Sequence, residues 1–288
     1  MKKISIILCA ILFCFNLNAQ KKELKALRKA VESNSFSEAT PLISTLEGMQ
    51  GAMKSKQIGE FNFYKAKVLL TVGSKTNNAS KIDEGLKSLA LAEKTKSKEV
   101  AEFKQELIIA ADKKSREFYN GENYKDAAKA YEYLYKLIPT DTVFLYNAAV
   151  SAVRSGDNSV ALPYYQKLRD LGYTGIAMSY LATDKDGNEK DLGEKSNRDL
   201  LVMSKEYTNP RDVKLPSKRG EIIKNIAFIL IEQGKTDEAL ASINDAKKEF
   251  PNDVNLVISE ANIYFKLGNK DKFAELTKKA IEMDPTNA

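Results

Sequence analysis

The chain reads as an all-α protein, a solenoid of stacked helical hairpins interrupted once by a β-hairpin and an extra helix. Three observations lead there. Proline and glycine are scarce, at 7 and 14 of 288 residues, while Ala, Leu, Lys and Glu are abundant, which favours helices. Hydrophobic residues make up 43% of the chain and charged residues 29%, a balance suited to a packed core beneath a solvated surface. Short turn motifs recur in register, and two adjacent ones are 34 residues apart.

The first segment, 1–19, stands apart. Lys2 and Lys3 precede an apolar run, Ile4–Phe15, and Asn16–Ala19 leads to a small residue, the layout of a cleaved secretory signal peptide. A run of that length rises only about 18 Å as a helix, short of a bilayer core of about 30 Å. Both cysteines, Cys9 and Cys14, lie in this segment, each after a bulky residue, Leu8 or Phe13, which disfavours lipid attachment. No later stretch is long and apolar enough to span a membrane, so no transmembrane helix is expected in the mature chain. Cleavage after Ala19 predicts an exported chain, periplasmic or secreted, with neither Cys nor His.

Segment 20–107 holds degenerate helical hairpins. A helix is expected at 21–33, followed by a turn at Phe36-Ser37-Glu38-Ala39. Phe63–Val72 looks like another first helix closed by Gly73, with Ser74–Ser80 inserted before a helix at 81–95.

Two clear units occupy 108–175 and two more 220–287. Gly156-Asp157-Asn158-Ser159-Val160-Ala161 matches Gly234-Lys235-Thr236-Asp237-Glu238-Ala239 and Gly268-Asn269-Lys270-Asp271-Lys272-Phe273. Asn123-Tyr124-Lys125-Asp126-Ala127 fits the same frame. Upstream of each turn stands a small residue: Ser115, Ala149, Ala227 or Ala261. Downstream come Tyr131, Tyr165, Ile243 and Thr277, and then Pro139, Tyr173, Pro251 and Pro285, where proline ends a helix. Asp141 or Thr142 and Asp253 are placed to cap the helices that follow them. Asn209-Pro210 is expected to stop a helix, and Pro216 to sit in the first turn of the next.

This pattern of small residue, tight turn, Ala-x-x-x-bulky residue and proline resembles the tetratricopeptide repeat (TPR) family. Leu145, Ile223 and Val257 stand where that family usually begins with Trp, and Phe273 replaces the turn-end Ala of the last unit. The resemblance implies a TPR α-solenoid, because one hairpin cannot bury its apolar face alone.

Segment 176–219 falls outside the period. Asp186-Gly187, between Ile176–Thr183 and a polar run, predicts a β-hairpin, and Ser196–Tyr207 an extra helix.

Catalytic chemistry finds little support. The whole chain lacks His, which excludes Ser-His-Asp triads, Cys-His dyads and His-ligated metals. The acidic loop Asp184–Asp191 fails the calcium-loop pattern: from Asp184 the sixth residue is Glu189 rather than Gly, and with Gly187 sixth the loop would begin at Ala182. Gly234-Lys235-Thr236 imitates a phosphate loop, but Ile229 stands where the motif needs its first Gly. The net charge of +6 is scattered and gives no nucleic-acid footprint. No cofactor, no metal and no enzymatic activity are expected.

The family resemblance implies instead a protein or peptide partner held in a concave groove lined by first helices. Transferred position by position, the groove contains Tyr146, Asn147, Val150 and Arg154; Lys224, Asn225, Phe228 and Glu232; and Ile258, Asn262, Phe265 and Lys266. Asparagine can both donate to and accept from a peptide backbone, lysine attracts acidic groups, and Phe and Tyr give apolar contact. Phe228 stands where a carboxylate clamp would want Asn, so the family's clamp is not carried over. The expectation is an exported scaffold of the bacterial cell envelope, with peripheral envelope association possible. The alternative is a structural subunit of an envelope complex that packs through its convex face or C-terminal end.

Overall fold

The computed structural model describes residues 19–285. The segment 1–19, expected to be a signal peptide and holding both cysteines, therefore lies outside the described residues apart from Ala19. The chain divides into two compact units at Thr140/Asp141, which separates the unit at 108–141 from the one at 142–175.

The first unit contains α1 (19–32), α2 (Phe36–Glu47), a single 3-10 turn at Gln50–Ala52, α3 (Ser55–Thr76), α4 (Ala79–Asn120) and α5 (Tyr124–Leu137). Leu24, Leu27, Val31, Ile43, Leu46 and Phe61 form its N-terminal core. Two expectations are corrected here. Gly73 does not end α3, which runs to Thr76, and the break before α4 is only Asn77-Asn78. Asn77 takes a left-handed turn (φ 51°), and Asn78 caps α4 by accepting the Lys81 amide. The helix expected at 81–95 and the first helix of the next unit form one element, bent at Lys96 (φ −136°, ψ 41°). Close approach explains the length of this pairing. A Cβ on Gly59 would lie 1.7 Å from Thr95 Oγ1, and one on Gly85 2.7 Å from Leu70, so glycine lets α3 and α4 touch along their length.

Lys65 on α3 is buried, with Glu47 at 2.5 Å and Glu84 at 2.6 Å. Burial alone would lower its pKa; hydrogen bonds to the two carboxylates overcome that and raise it.

The second unit contains α6 (Thr142–Arg154), α7 (Asn158–Asp170), β1 (Met178–Thr183), β2 (Glu189–Asp191), α8 (Lys195–Met203), β3 (Thr208–Lys214), α9 (Arg219–Glu232), α10 (Thr236–Glu249), α11 (Val254–Lys266) and α12 (Lys270–Met283). The helix pairs follow the expected frame. Asp141, Asp157, Asp253 and Asn269 each accept a backbone N–H of the helix they precede. Between paired helices the chain passes through the left-handed region at Gly156, Gly234 and Gly268, which only glycine enters without cost.

The insertion contains one strand more than expected. β1 pairs antiparallel with both β2 and β3, in the order β2-β1-β3. Asn209-Pro210 lies inside β3, where the edge position tolerates a residue without an N–H. Pro216 precedes α9 by several residues instead of entering its first turn. α8 covers one face of the sheet. There the buried Arg198 donates to Asp212 Oδ1 (2.7 Å) and the Arg211 carbonyl (3.1 Å), with its guanidinium 5.6 Å from the Tyr180 ring. At the stem, the Lys218 amide donates to the Thr174 carbonyl (2.7 Å) and the Leu215 amide to that of Ala177 (2.9 Å). The module thus leaves and rejoins the repeat stack at one point, and α9 packs directly on α7.

Candidate binding face

Three first helices, α6, α9 and α11, carry the groove residues expected from the sequence. They separate into two polar networks and a terminal group.

The first network joins α6, α7 and α9. Tyr146 donates to Glu221 Oε1 at 2.6 Å, and Lys218 Nζ reaches Glu221 Oε2 at 3.2 Å. The Tyr146 ring lies 5.6 Å from Tyr173, with Lys218 Nζ at 5.9 Å on its face. Tyr165 is fully buried on α7, with the Asn225 side chain near its phenol. The Tyr146 phenol is held well above the ordinary tyrosine range, first by burial and then by its hydrogen bond to the negative Glu221. Tyr165 is raised by burial and by the same carboxylate, with the Asn225 contact acting in the opposite sense. Tyr146 therefore already has a partner within the protein, and both Tyr146 and Asn225 are half-buried. Asn147 is half-buried beside them, and Lys224 is exposed.

The second network joins α9 and α11. Phe228 is 46% exposed, and Lys266 Nζ lies 4.7 Å from its ring centroid. Lys266 also approaches Glu232 Oε1 at 4.0 Å, and Asn158 Nδ2 donates to Glu232 Oε2 at 2.7 Å. Phe228 and Lys266 are thus brought together as the repeat frame requires.

Asn262 and Phe265 belong to the terminal group. Asn262 is exposed near α12, and Phe265, 65% exposed, lies 5.1 Å from the Phe273 ring of that helix. They do not join Tyr146 and Asn225 in a shared contact.

Sequence reasoning missed Glu221, Lys218 and Tyr173. Glu221 occupies the second position of its unit, a groove position in the repeat frame, and that spacing could have found it. Tyr173 stands at the frame position of Pro139, Pro251 and Pro285, but that spacing does not mark it as a neighbour of Tyr146; Lys218 lies at the stem of the insertion, outside the repeat period.

Among the described residues no group of His, Cys, Asp and Glu side chains is arranged to hold a metal ion, and no helix is long and apolar enough to cross a membrane.

The tetratricopeptide repeat family model matches residues 113–172 and 227–288. No curated protein matches the chain. Among solved structures, YrrB, described as a TPR protein with an unusual peptide-binding site, is 15% identical (TM-score 0.39) and covers 91% of this chain and 94% of its own. MamA is 11% identical (TM-score 0.39), covering 77% and 92%. PilF of Pseudomonas aeruginosa is 8% identical (TM-score 0.34), covering 94% of each. With paired helices, left-handed turns and the family pattern in both, the two matched segments are tetratricopeptide repeats.

Proposed function

We propose that this chain is an exported, non-catalytic scaffold that holds an extended protein or peptide segment on the face formed by α6, α9 and α11. One observation carries the reading: Phe228, half-exposed and topped by the Lys266 ammonium, beside the exposed Lys224. A fixed apolar ring flanked by two cations suits a segment that offers a large apolar residue next to an acidic one. Burial of such a contact at an interface centre is where binding energy concentrates. The N-terminal layout of Lys2, Lys3 and Ile4–Phe15 supports export.

A phage-displayed library of linear peptides, selected against the purified chain, tests the binding reading. The expected consensus joins Asp or Glu to Leu, Phe or Tyr, and a Lys224→Glu, Phe228→Ser variant should bind the selected peptides at least tenfold more weakly. Selection of no consensus, or equal binding by the variant, overturns it. Export is tested separately by the mature N-terminus, which should begin at Gln20; an intact Met1 in the envelope or medium overturns export.

A further inference from the structure

Part of the positive charge that looks scattered along the sequence gathers on one helix of the first unit. Every exposed residue of α1 from Ala19 to Lys29 is basic: Lys21, Lys22, Lys25, Arg28 and Lys29. Arg28 approaches Glu32 at 4.0 Å and Glu60 at 3.9 Å. Among the described residues no carboxylate lies within 4.0 Å of the four lysine ammonium groups. The opposite side of α1 is apolar and committed to the core through Leu24, Leu27, Ala30 and Val31. Gln20 Nε2 donates to the Met49 carbonyl at 3.4 Å, and Arg28 meets Glu60, so α1 and α3 run side by side in one direction. Lys54 and Lys56, both exposed, therefore open α3 at the same end as Lys21 and Lys22.

This arrangement lowers the stability of the chain standing alone. Like charges three or four positions apart on a helix repel, and α1 sets Lys25 against Lys21, Lys22, Arg28 and Lys29 in that way. Cations in the first turn also oppose the helix dipole. An exposed helix face needs only to be polar, and mixed charges achieve that without the repulsion. α4 has the mixed pattern, with Glu93, Lys94, Lys98, Glu99 and Glu102 all exposed. A face of one sign becomes favourable when a surface of the opposite sign covers it.

We infer that the cationic face of α1 docks on an anionic phospholipid surface. Lys22, Lys25 and Lys29 form a row about 10 Å long, with Lys21, Lys54 and Lys56 towards one end. Lipid headgroups fit this face better than a folded partner or a nucleic acid. Protein interfaces are depleted in lysine and centre on apolar or aromatic anchors, and α1 exposes none between Ala19 and Lys29. Nucleic-acid sites set stacking aromatics or arginine forks among their cations. Lysine ammoniums are compact, hydrated charges on flexible stems, suited to a surface of many mobile phosphates. Because the apolar side of α1 is buried in the core, the contact is electrostatic and reversible, without insertion of the helix. This surface belongs to the first unit and stands apart from the peptide face of the second.

The apolar run Ile4–Phe15 would bind vesicles by itself, so the chain tested starts at Gln20 and keeps every described residue but Ala19. It is sedimented with phosphatidylcholine vesicles, with and without about 30% phosphatidylglycerol, at about 0.05 M and about 0.5 M salt. Binding is expected only to the anionic vesicles and should weaken about tenfold or more at the higher salt. Lys22→Glu with Lys25→Glu and Lys29→Glu should weaken it at least about tenfold without lowering the circular dichroism melt. Should that variant unfold, the three Gln substitutions decide, with a loss of about threefold expected. Lys94→Glu with Lys98→Glu and Lys113→Glu changes the net charge equally and should bind within about twofold of the wild type. Equal losses in the two Glu variants, or no binding to anionic vesicles, overturn the inference. Retention on immobilised polyglutamate without vesicle binding also overturns it, in favour of an acidic protein partner.

Discussion

The ammonium of Lys266 sits 4.7 Å from the ring centroid of Phe228, one repeat earlier, and 4.0 Å from Glu232. An exposed cation–π contact contributes about 0.5–1 kcal/mol, so this pair is a poor candidate for holding the repeats together. The buried Leu256 and Ile263 do that instead. Phe228→Ala should therefore lower stability by at most about 1 kcal/mol. A shift in the urea midpoint corresponding to several times that amount would mean that Phe228 is part of the core.

Tyr146 and Glu221 should couple. The Tyr146→Phe variant leaves a partly buried carboxylate short of a donor, and about 1–2 kcal/mol should be lost. Glu221→Gln should cost less in the Tyr146→Phe background than in the wild type. A double-mutant cycle with purely additive losses would contradict the contact.

Alkaline pH should expose the buried phenols. Tyr64 is pushed up to about 12, first by burial and then by Glu32 and Glu60, and Tyr133, Tyr146 and Tyr165 are raised by burial above all. A phenol with a raised folded pKa keeps its proton while the unfolded chain loses it near pH 10, so stability is full below about pH 10 and declines above it. Tyrosinate absorbance should show a group of tyrosines ionising only together with loss of helical circular dichroism. Smooth ionisation of all tyrosines near pH 10 with the helices intact would refute this.

Glu122 occupies the left-handed turn position (φ 59°) that Gly156, Gly234 and Gly268 hold in the other units. A side chain there costs about 1 kcal/mol relative to glycine. Glu122→Gly should raise stability by about that amount, measured by denaturant unfolding. The reverse substitution, Gly156→Glu, should lower it similarly.

The Asp184 carboxyl is held at about 2, first by Lys190 at 2.8 Å and then by the Asn188 and Asp186 amides. Its contribution to the hairpin is therefore present above the ordinary carboxylate range near 4 and is lost as pH falls towards 2. Carbon-detected NMR titration should find it protonating well below the ordinary carboxylate range. In Lys190→Ala its pKa should move up towards the ordinary value.

Much of the solenoid was legible from periodicity alone. A helix that must bury one stripe, a turn that must reverse the chain and a proline that must end a helix all leave local marks. Ala149, Gly156, Ala161 and their counterparts at Ala227, Gly234 and Ala239 carry that information in residue type and spacing, so the boundaries of α6, α7, α9 and α10 could be read within a few residues. Phe228 and Lys266 could likewise be placed near each other, because adjacent repeats share one frame.

The tertiary structure decided what depends on partners far apart in the chain. β3 carries asparagine, proline and charges, and only pairing with β1 makes it a strand. Gly59 and Gly85 look like helix breakers in isolation, yet they lie inside α3 and α4 because a neighbouring helix requires their lack of a Cβ. Tyr146 has the chemistry to meet a peptide, but Glu221 already accepts a hydrogen bond from its hydroxyl, a contact set by packing between α6 and α9. Local propensity and periodicity belong to a short stretch of chain and are written there. Hydrogen bonding, burial and close approach between distant segments exist only once the segments have met.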